Sequence, residues 1–514
     1  VGDKRSASAA EEVRGSDTPT GAELDRLGWP GGRGDGEGAV EEALAYLLGG
    51  ISPRRGGSGS PAGARSGAGA PARARLLLDR LDRPDRGLRI VHVTGTNGKT
   101  STATLVAAML RSAGLCVGTF TSPHVHQLRE RVALDGRPVS DAELARAVLA
   151  VRDAELAGGR RGRQDAGDRP RFFEILTAGA MWLFAEKGVD VAVVEVGIGG
   201  RTDATNALRG EVAVLTNVGL DHVAQLGPTT RDIAWHKAGI VKRGAHVVLG
   251  DLDPSLEAVV LGEAAVAGAR EAWRWGRELG ALVVAPGTGG GLVRSPLAAA
   301  PLETFYPADH RLTNLAVALG AAEALLGEPL GADRLSRALE GAQLPGRLEV
   351  VAKDPLVVVD AVKNVLGARA ASAALEAGPA RGRGRVLVVG LLEGHEPTEI
   401  LDALGAGTAR AVVACEPRSA RAVPATEIGE AAAALGAPSL VVPDVGSALE
   451  AARSLARVDD VVLVAGSLYV VAAARESLGL GPESSEPTWA APLPADVAAR
   501  SSLAAGSLAG STLP

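Results

Sequence analysis

The sequence of 514 residues is short of several things, and each shortage narrows the options. It has two cysteines, Cys116 and Cys415, each inside an apolar stretch, so a disulfide framework is not expected and a reducing cytoplasm fits. Aromatic residues make up 3%, which leaves Val, Leu and Ala to fill the core. Positive charge is not in excess: 54 Lys and Arg face 60 Asp and Glu, a formal net charge of -6. Nucleic acid is therefore not an expected partner, because backbone phosphate binding needs clustered cations. No apolar run reaches the roughly 18–20 residues that span a bilayer. The first residues lack the apolar centre of a signal peptide, so no membrane association is expected.

What is present suits a globular chain of two or three domains: 46% hydrophobic and 22% charged residues. Residues 1–38 lack periodicity and read as a disordered extension. "EEALAYLLGG" (41–50) reads as a short amphipathic helix. Residues 52–75, rich in Gly, Ser, Arg and Pro, read as a flexible loop whose arginines are solvated. From about 88 to 250, apolar strands ("LRIVHV", "CVGTFTS", "VDVAVVEVG", "VAVLTNVG") alternate with helices. Strands without polar alternation imply a parallel sheet covered on both faces, an α/β fold. Residues 159–171 are a polar insertion, 272–307 a β excursion, and 310–327 a helix. A second, smaller α/β region with a Rossmann-like pattern begins near 346 ("RLEVVA", "LVVVDA", "RVLVVGLL", "DVVLVAGS"). The expected division is 39–342 for the first domain, 343–480 for the second and 481–514 for a disordered tail.

"VHVTGTNGKTST" (91–102) is the clearest chemical signal. In Gly95-Thr96-Asn97-Gly98-Lys99-Thr100 the glycines let backbone N–H groups close around phosphate oxygens, and the next helix aims its positive end at the same anion. Lys99 would reach the outer phosphates, the Thr100 hydroxyl would face Mg²⁺, and Ser101 follows in the first helical turn. The spacing G-x-x-G-K-T is two residues shorter than the common phosphate loop. Glu195 closes the strand "VAVVE", where parallel sheets bind ligands, and a carboxylate there is a hard oxygen ligand for Mg²⁺.

This loop resembles the ATP loop of the Mur ligase superfamily, and within it folylpolyglutamate synthase/dihydrofolate synthase. "TSPHVHQLRERV" (121–132), "FFEILTAGAMWLF" (172–184), "VDVAVVEVGIGGRTDATNAL" (189–208), "LTNVGLDHVAQLGPTTRDIAWHKAGIVKRG" (215–244), "LPGRLEVV" (344–351) and "VVLVAGSLYVV" (461–471) are similar in order and spacing. The style of these segments looks most like actinobacterial members. The resemblance implies an ATP-dependent ligase, monomeric as is usual for this architecture, that joins L-glutamate to dihydropteroate or reduced folates through an acyl phosphate. It implies two Mg²⁺ sites, with Thr100, Ser122, Glu195 and His222 as ligands, and a carbamylated Lys237 that turns a cation into an anion able to hold metal. It places Phe173, Glu174, Thr177, Thr202, Asp203 and Ala204 on the pterin side, and Asn314, Arg347 and Asp360 on ATP. Lys99, His222 and Lys237 are the implied catalytic residues.

The departures fall mostly in the second domain. The family reads Asp-(Gly/Ala)-Ala-His-Asn-Pro where this chain has "DAVKNVLGARA" (360–370), so Lys363 replaces His and Val365 replaces Pro. Glu393, Gly394, His395 and Glu396 replace a Lys-Asp-Lys-Asp-type turn, His236 replaces the Glu before Lys237, and "HRLTN" replaces a His-Gln pair although His310 and Asn314 remain. These changes leave open a ligase for another acid, or a nucleotide-binding paralogue with reduced activity. A kinase or GTPase switch lacks the Asn-Lys-x-Asp-type base reader.

Overall fold

A computed structural model describes residues 37–49, 69–158, 169–283, 291–302, 309–377 and 380–482. The expected extension up to residue 36, most of the 52–75 loop, most of the 159–171 insertion and the tail from 483 lie outside the described residues.

The first sheet has eight strands: β1 (Arg89–Thr94), β2 (Val117–Phe120), β3 (Val132–Leu134), β4 (Arg137–Pro138), β5 (Val191–Glu195), β6 (Val212–Leu215), β7 (His246–Leu249) and β8 (Glu271–Arg274). Their order is β4-β3-β2-β5-β1-β6-β7-β8. The run from β2 to β8 is parallel, and β3 and β4 add antiparallel edges. The chain leaves β1 for one side, to β2, and crosses back from β5 to β6, so β1 lies at the switch point where such sheets bind ligands. The lack of polar alternation in the strands has its reason in two-sided burial. Val191 and Val193 of β5 face a layer that holds helices Lys99–Ser112, Asp309–Leu326 and Ala332–Gly341. Ala192 and Val194 face a layer that holds Glu37–Gly49, Ala70–Arg80, Asp141–Gly158 and Phe172–Glu186.

A small antiparallel sheet of β9 (Gly280–Val283), β10 (Gly291–Arg294) and β11 (Ala299–Leu302) packs on helix Asp309–Leu326. The third sheet holds β12 (Glu349–Lys353), β13 (Leu356–Asp360), β14 (Arg385–Gly390), β15 (Ala411–Ala414), β16 (Ser439–Val441) and β17 (Val461–Gly466), in the order β12-β13-β17-β14-β15-β16. It is parallel except for β12 and carries apolar clusters on both faces. Among the described residues no helix is long and apolar enough to cross a membrane. Cys116 and Cys415 are free thiols.

One expectation needs correction here. The end of the 52–75 segment is not a solvated loop, because Ala70–Arg80 is a helix with Pro71 in its first turn. Arg73 is buried and grips Glu174 with two parallel bonds, Nε to Oε2 at 2.9 Å and Nη2 to Oε1 at 2.6 Å. Glu174 also accepts from the Arg171 backbone N–H at 2.9 Å, capping helix Phe172–Glu186. A composition-based reading sees a Gly/Arg/Pro stretch, but a buried guanidinium with a bidentate carboxylate is a packing element.

Candidate active site

The phosphate loop connects β1 to helix Lys99–Ser112. Gly98, at φ 78°, occupies the left-handed region, and a Cβ there would stand 2.6 Å from Asn314 Oδ1. A Cβ on Gly95 would stand 1.8 Å from Thr216 Oγ1, the hydroxyl that donates to the Asn97 carbonyl at 2.6 Å. Both glycines are therefore required by close approach. The Asn97 backbone N–H donates to Asn217 Oδ1 at 2.9 Å, which pins the loop to the end of β6. Lys99 folds back so that Nζ donates to the carbonyls of Gly95 and Thr96 at 3.1 and 3.2 Å. Burial pulls its amine down to about 8, with repulsion from Lys363 adding to the effect.

Glu195, at the end of β5, is fully buried and accepts from Thr100 Oγ1 at 3.0 Å and from the Ser122 backbone N–H at 3.1 Å. It has no ion-pair partner among the described residues. Burial raises its pKa, and Lys99 opposes that. His222 sits at φ 52° at the start of a short helical turn. Burial, followed by repulsion from Lys363, lowers its imidazole to about 4, so it is neutral. Lys237 is 3% exposed in helix Thr230–Ala238 and lies behind the cleft wall. Burial drives its amine well below the ordinary lysine range, with Lys99 adding repulsion. No hydrogen-bond or ion-pair partner holds it among the described residues.

Apart from Lys237, these side chains border one cleft of about 1520 Å³ between the first and third sheets. Thr96 to Ser101, Asn314, Arg347 and Asp360 line its nucleotide side, and Ser122, Glu195 and His222 its centre. Phe173, stacked on Phe120 with ring centroids 5.4 Å apart, and Asp203 line the far side. Glu174, Thr177, Thr202 and Ala204 do not line it. Glu174 is committed to Arg73, Thr177 returns its hydroxyl to the Phe173 carbonyl at 2.7 Å, Thr202 is exposed and Ala204 is in the core.

The Mur ligase middle domain matches residues 93–134, and the Mur ligase glutamate ligase domain matches residues 346–468. The folylpolyglutamate synthase of Lacticaseibacillus casei is 35% identical over 409 residues, 78% of this chain and 92% of the relative. The chain belongs to the folylpolyglutamate synthase/dihydrofolate synthase family. It is thus an ATP-dependent, amide-forming ligase of Mur ligase fold. Among solved structures, Mycobacterium tuberculosis folylpolyglutamate synthase complexed with ADP superposes with a TM-score of 0.76 at 29% identity, covering 87% of this chain and all of that one. The bifunctional Yersinia pestis enzyme complexed with AMPPNP and a Mn ion gives 0.71 at 28% identity, covering 86% and 98%.

The donors of this ligase suit a hard divalent cation. A buried Glu195 carboxylate without an ion-pair partner accepts from the Thr100 hydroxyl and the Ser122 backbone N–H, and His222, lining the same cleft, offers a neutral ring nitrogen. Among the described residues no three His, Cys, Asp or Glu side chains converge into a ready cage.

Several residues escaped the sequence reading. His92, buried in β1, meets Thr205 Oγ1 at 2.9 Å; Thr205 donates its proton to Asp203 at 2.6 Å, so the network puts the imidazole proton on Nε2. Thr94 Oγ1 donates to the Gly199 carbonyl at 2.6 Å. Two polar residues in an apolar strand therefore anchor the 198–206 loop, and their polarity was the signal. Asp221 neighbours His222 in "GLDH" and accepts from Lys363 Nζ at 3.1 Å. Asn364 exchanges amide hydrogen bonds with Asn97 at 3.0 and 3.1 Å.

Proposed function

We propose that this ligase adds L-glutamate to dihydropteroate, to reduced folates, or to both, acting as a monomer. The observation that supports this reading most directly is a single cleft, built within one chain, where the phosphate loop, the Glu195 carboxylate and Arg347 at the entry to the third sheet meet. Residues 39–342 form the half that holds ATP and the acid, and 343–480 the half that brings the amino acid.

In the first step a carboxylate oxygen of the pteroate attacks the γ-phosphorus. The bond from that phosphorus to the β,γ-bridging oxygen breaks, its electron pair leaves with ADP, and an acyl phosphate forms. In the second, the glutamate amine attacks the acyl carbon, the carbon–phosphate bond breaks, and a proton and inorganic phosphate depart. Such transfer depends on position and charge neutralisation rather than on a protein nucleophile. Lys99 and the loop N–H groups hold the phosphates. Arg347 neutralises charge without losing its proton, and Asn314 and Asp360 grip the nucleotide. Phe173 and Asp203 meet the pterin side.

The Manganese-bound Yersinia relative supports a divalent cation here as well. We assign one cation position to Thr100, Ser122 and Glu195, and a second to His222 with Lys237. When bound, Mg²⁺ supplies charge to the migrating phosphoryl oxygens. Lys237 serves the second position as a carbamate: its neutral amine attacks CO₂, an N–C bond forms, one C=O π pair moves to oxygen, and a proton leaves. Burial without a partner supports this, since an ammonium there would be uncompensated.

The test is ATP-dependent phosphate release with glutamate and dihydropteroate, tetrahydrofolate or no acceptor. Stimulation by at least one pteroate, with a glutamylated product, is expected. No stimulation by either would refute the assignment.

A further inference from the structure

Lys363 is the residue whose position the reaction above does not use. It follows β13, in the half of the molecule that carries the third sheet, yet its ammonium reaches across the cleft. Nζ lies 3.1 Å from Asp221 Oδ2 and 3.3 Å from His222 Nε2. Asp221 and His222 are themselves neighbours, with Oδ1 3.7 Å from Nε2. The Asp221 side chain is 8% exposed, so its carboxylate is removed from solvent and needs a cation. Asn364, the next residue, fixes the approach. Its Nδ2 donates to Asn97 Oδ1 and to Asp221 Oδ2, and its Oδ1 accepts from Asn97 Nδ2 and the Gly367 N–H. All four hydrogen-bonding positions of that amide are used, so the backbone that delivers Lys363 is locked to the phosphate loop.

We propose that Lys363 is an internal cation: its ammonium, held between Asp221 and His222, occupies the His222 end of the second cation position in place of a divalent ion. This rests on the two-position reading above and changes its second half, where Lys363 rather than Mg²⁺ supplies the positive charge that His222 and a carbamate on Lys237 would face. A carboxylate oxygen and a neutral imidazole nitrogen are donors that a divalent ion would use, and here one ammonium takes both. A second divalent ion could enter only by displacing that ammonium, because both would occupy the same donors and two cations about 3 Å apart repel. Lysine suits the role, since it is a compact point charge on a flexible stem with three donors, one of them still free for a carbamate on Lys237 or for a phosphate oxygen.

The test is a Mn²⁺ titration of the full chain with ADP in bicarbonate buffer, with free Mn²⁺ read by electron paramagnetic resonance. Wild type, Lys363→Ala, Lys363→His and Lys363→Arg are compared, and ADP affinity in the same samples reports folding. One tight ion is expected for wild type and Lys363→Arg. Two are expected for Lys363→Ala and Lys363→His, with the second ion bound about tenfold or more tighter than in wild type. Two equally tight ions in wild type, or one in every variant, would overturn the internal cation and leave the Glu195 position standing. No tight ion in any variant would remove both.

Discussion

Asn97 of the phosphate loop and Asn364 of the third-sheet half face each other amide to amide, each donating to the other, at 3.0 and 3.1 Å. They are 267 residues apart in the chain. The pair couples the loop that holds ATP to the start of helix Val365–Ala377, whose Gly367 N–H also bonds Asn364. Asn364→Ala leaves the Asn97 amide without partners, a loss of about 1–3 kcal/mol. That corresponds to a fall in kcat/KM for ATP of between about 5- and 150-fold. Asn364→Asp is expected to do worse, since it sets a second carboxylate beside Asp221. Steady-state kinetics of the two variants decide the order.

Arg73 and Glu174 form a buried, bidentate ion pair far from the phosphates. Removing one partner strands the other's charge, so Arg73→Met should lower stability by about 3–5 kcal/mol. The double variant Arg73→Met/Glu174→Leu should recover most of the loss. Urea unfolding of the single and double variants measures both. Equal losses would show that the charge is not what holds the helix.

Several histidines away from the Glu195–His222 site are held neutral, three of them strongly, and acid should therefore unfold the chain. Burial lowers His92 to about 3, His124 to about 3 and His310 to about 4. Each takes up a proton near its ordinary value when unfolded but resists it when folded. Stability is therefore full above about pH 6.5 and falls as the pH drops toward the folded values, by up to about 1.4 kcal/mol per pH unit for each such group. His92→Gln, which keeps a donor toward Thr205, should flatten the slope between pH 6.5 and 5. An unchanged slope in urea melts would contradict this.

Lys237 is expected to be indispensable as a carbamate. Lys237→Ala should reduce phosphate release by about 10²-fold or more, with no rescue by bicarbonate. With ¹³C-bicarbonate, a carbamate resonance is expected in wild type and not in the variant. An active alanine variant would end the carbamate proposal.

What could be read from the sequence was whatever repeats or clusters locally. The two-faced strands announced themselves by lacking alternation, and Gly98-Lys99-Thr100 announced itself by spacing. Glu195 was legible because it closes an apolar strand. What could not be read are pairings made across the fold. Asn97 meets Asn364, His92 reaches Asp203 through Thr205, and Lys363 meets Asp221, none within 100 residues of each other except as folding brings them. Glu174 lies beside Phe173 in sequence, but successive helical residues point in different directions, so one faces the cleft and the other faces Arg73. Arg73 was hidden by a Gly-, Arg- and Pro-rich context that looks like a loop.

The cleft is bordered by the carboxyl ends of two parallel sheets, with Glu195 closing β5 and Thr216 following β6 on one side, and Asp360 and Gly466 closing strands on the other. Each side is thus a complete binding edge with a core of its own. Variation at positions such as 363–365 and 393–396 can rewrite the grip on the incoming amine while the edge that carries the phosphate loop stays as it is. The two halves must still agree where they touch: Asn97 with Asn364, Asp221 with Lys363, Arg311 with the Arg347 and Leu348 carbonyls, and His126 with Glu476 and Arg475.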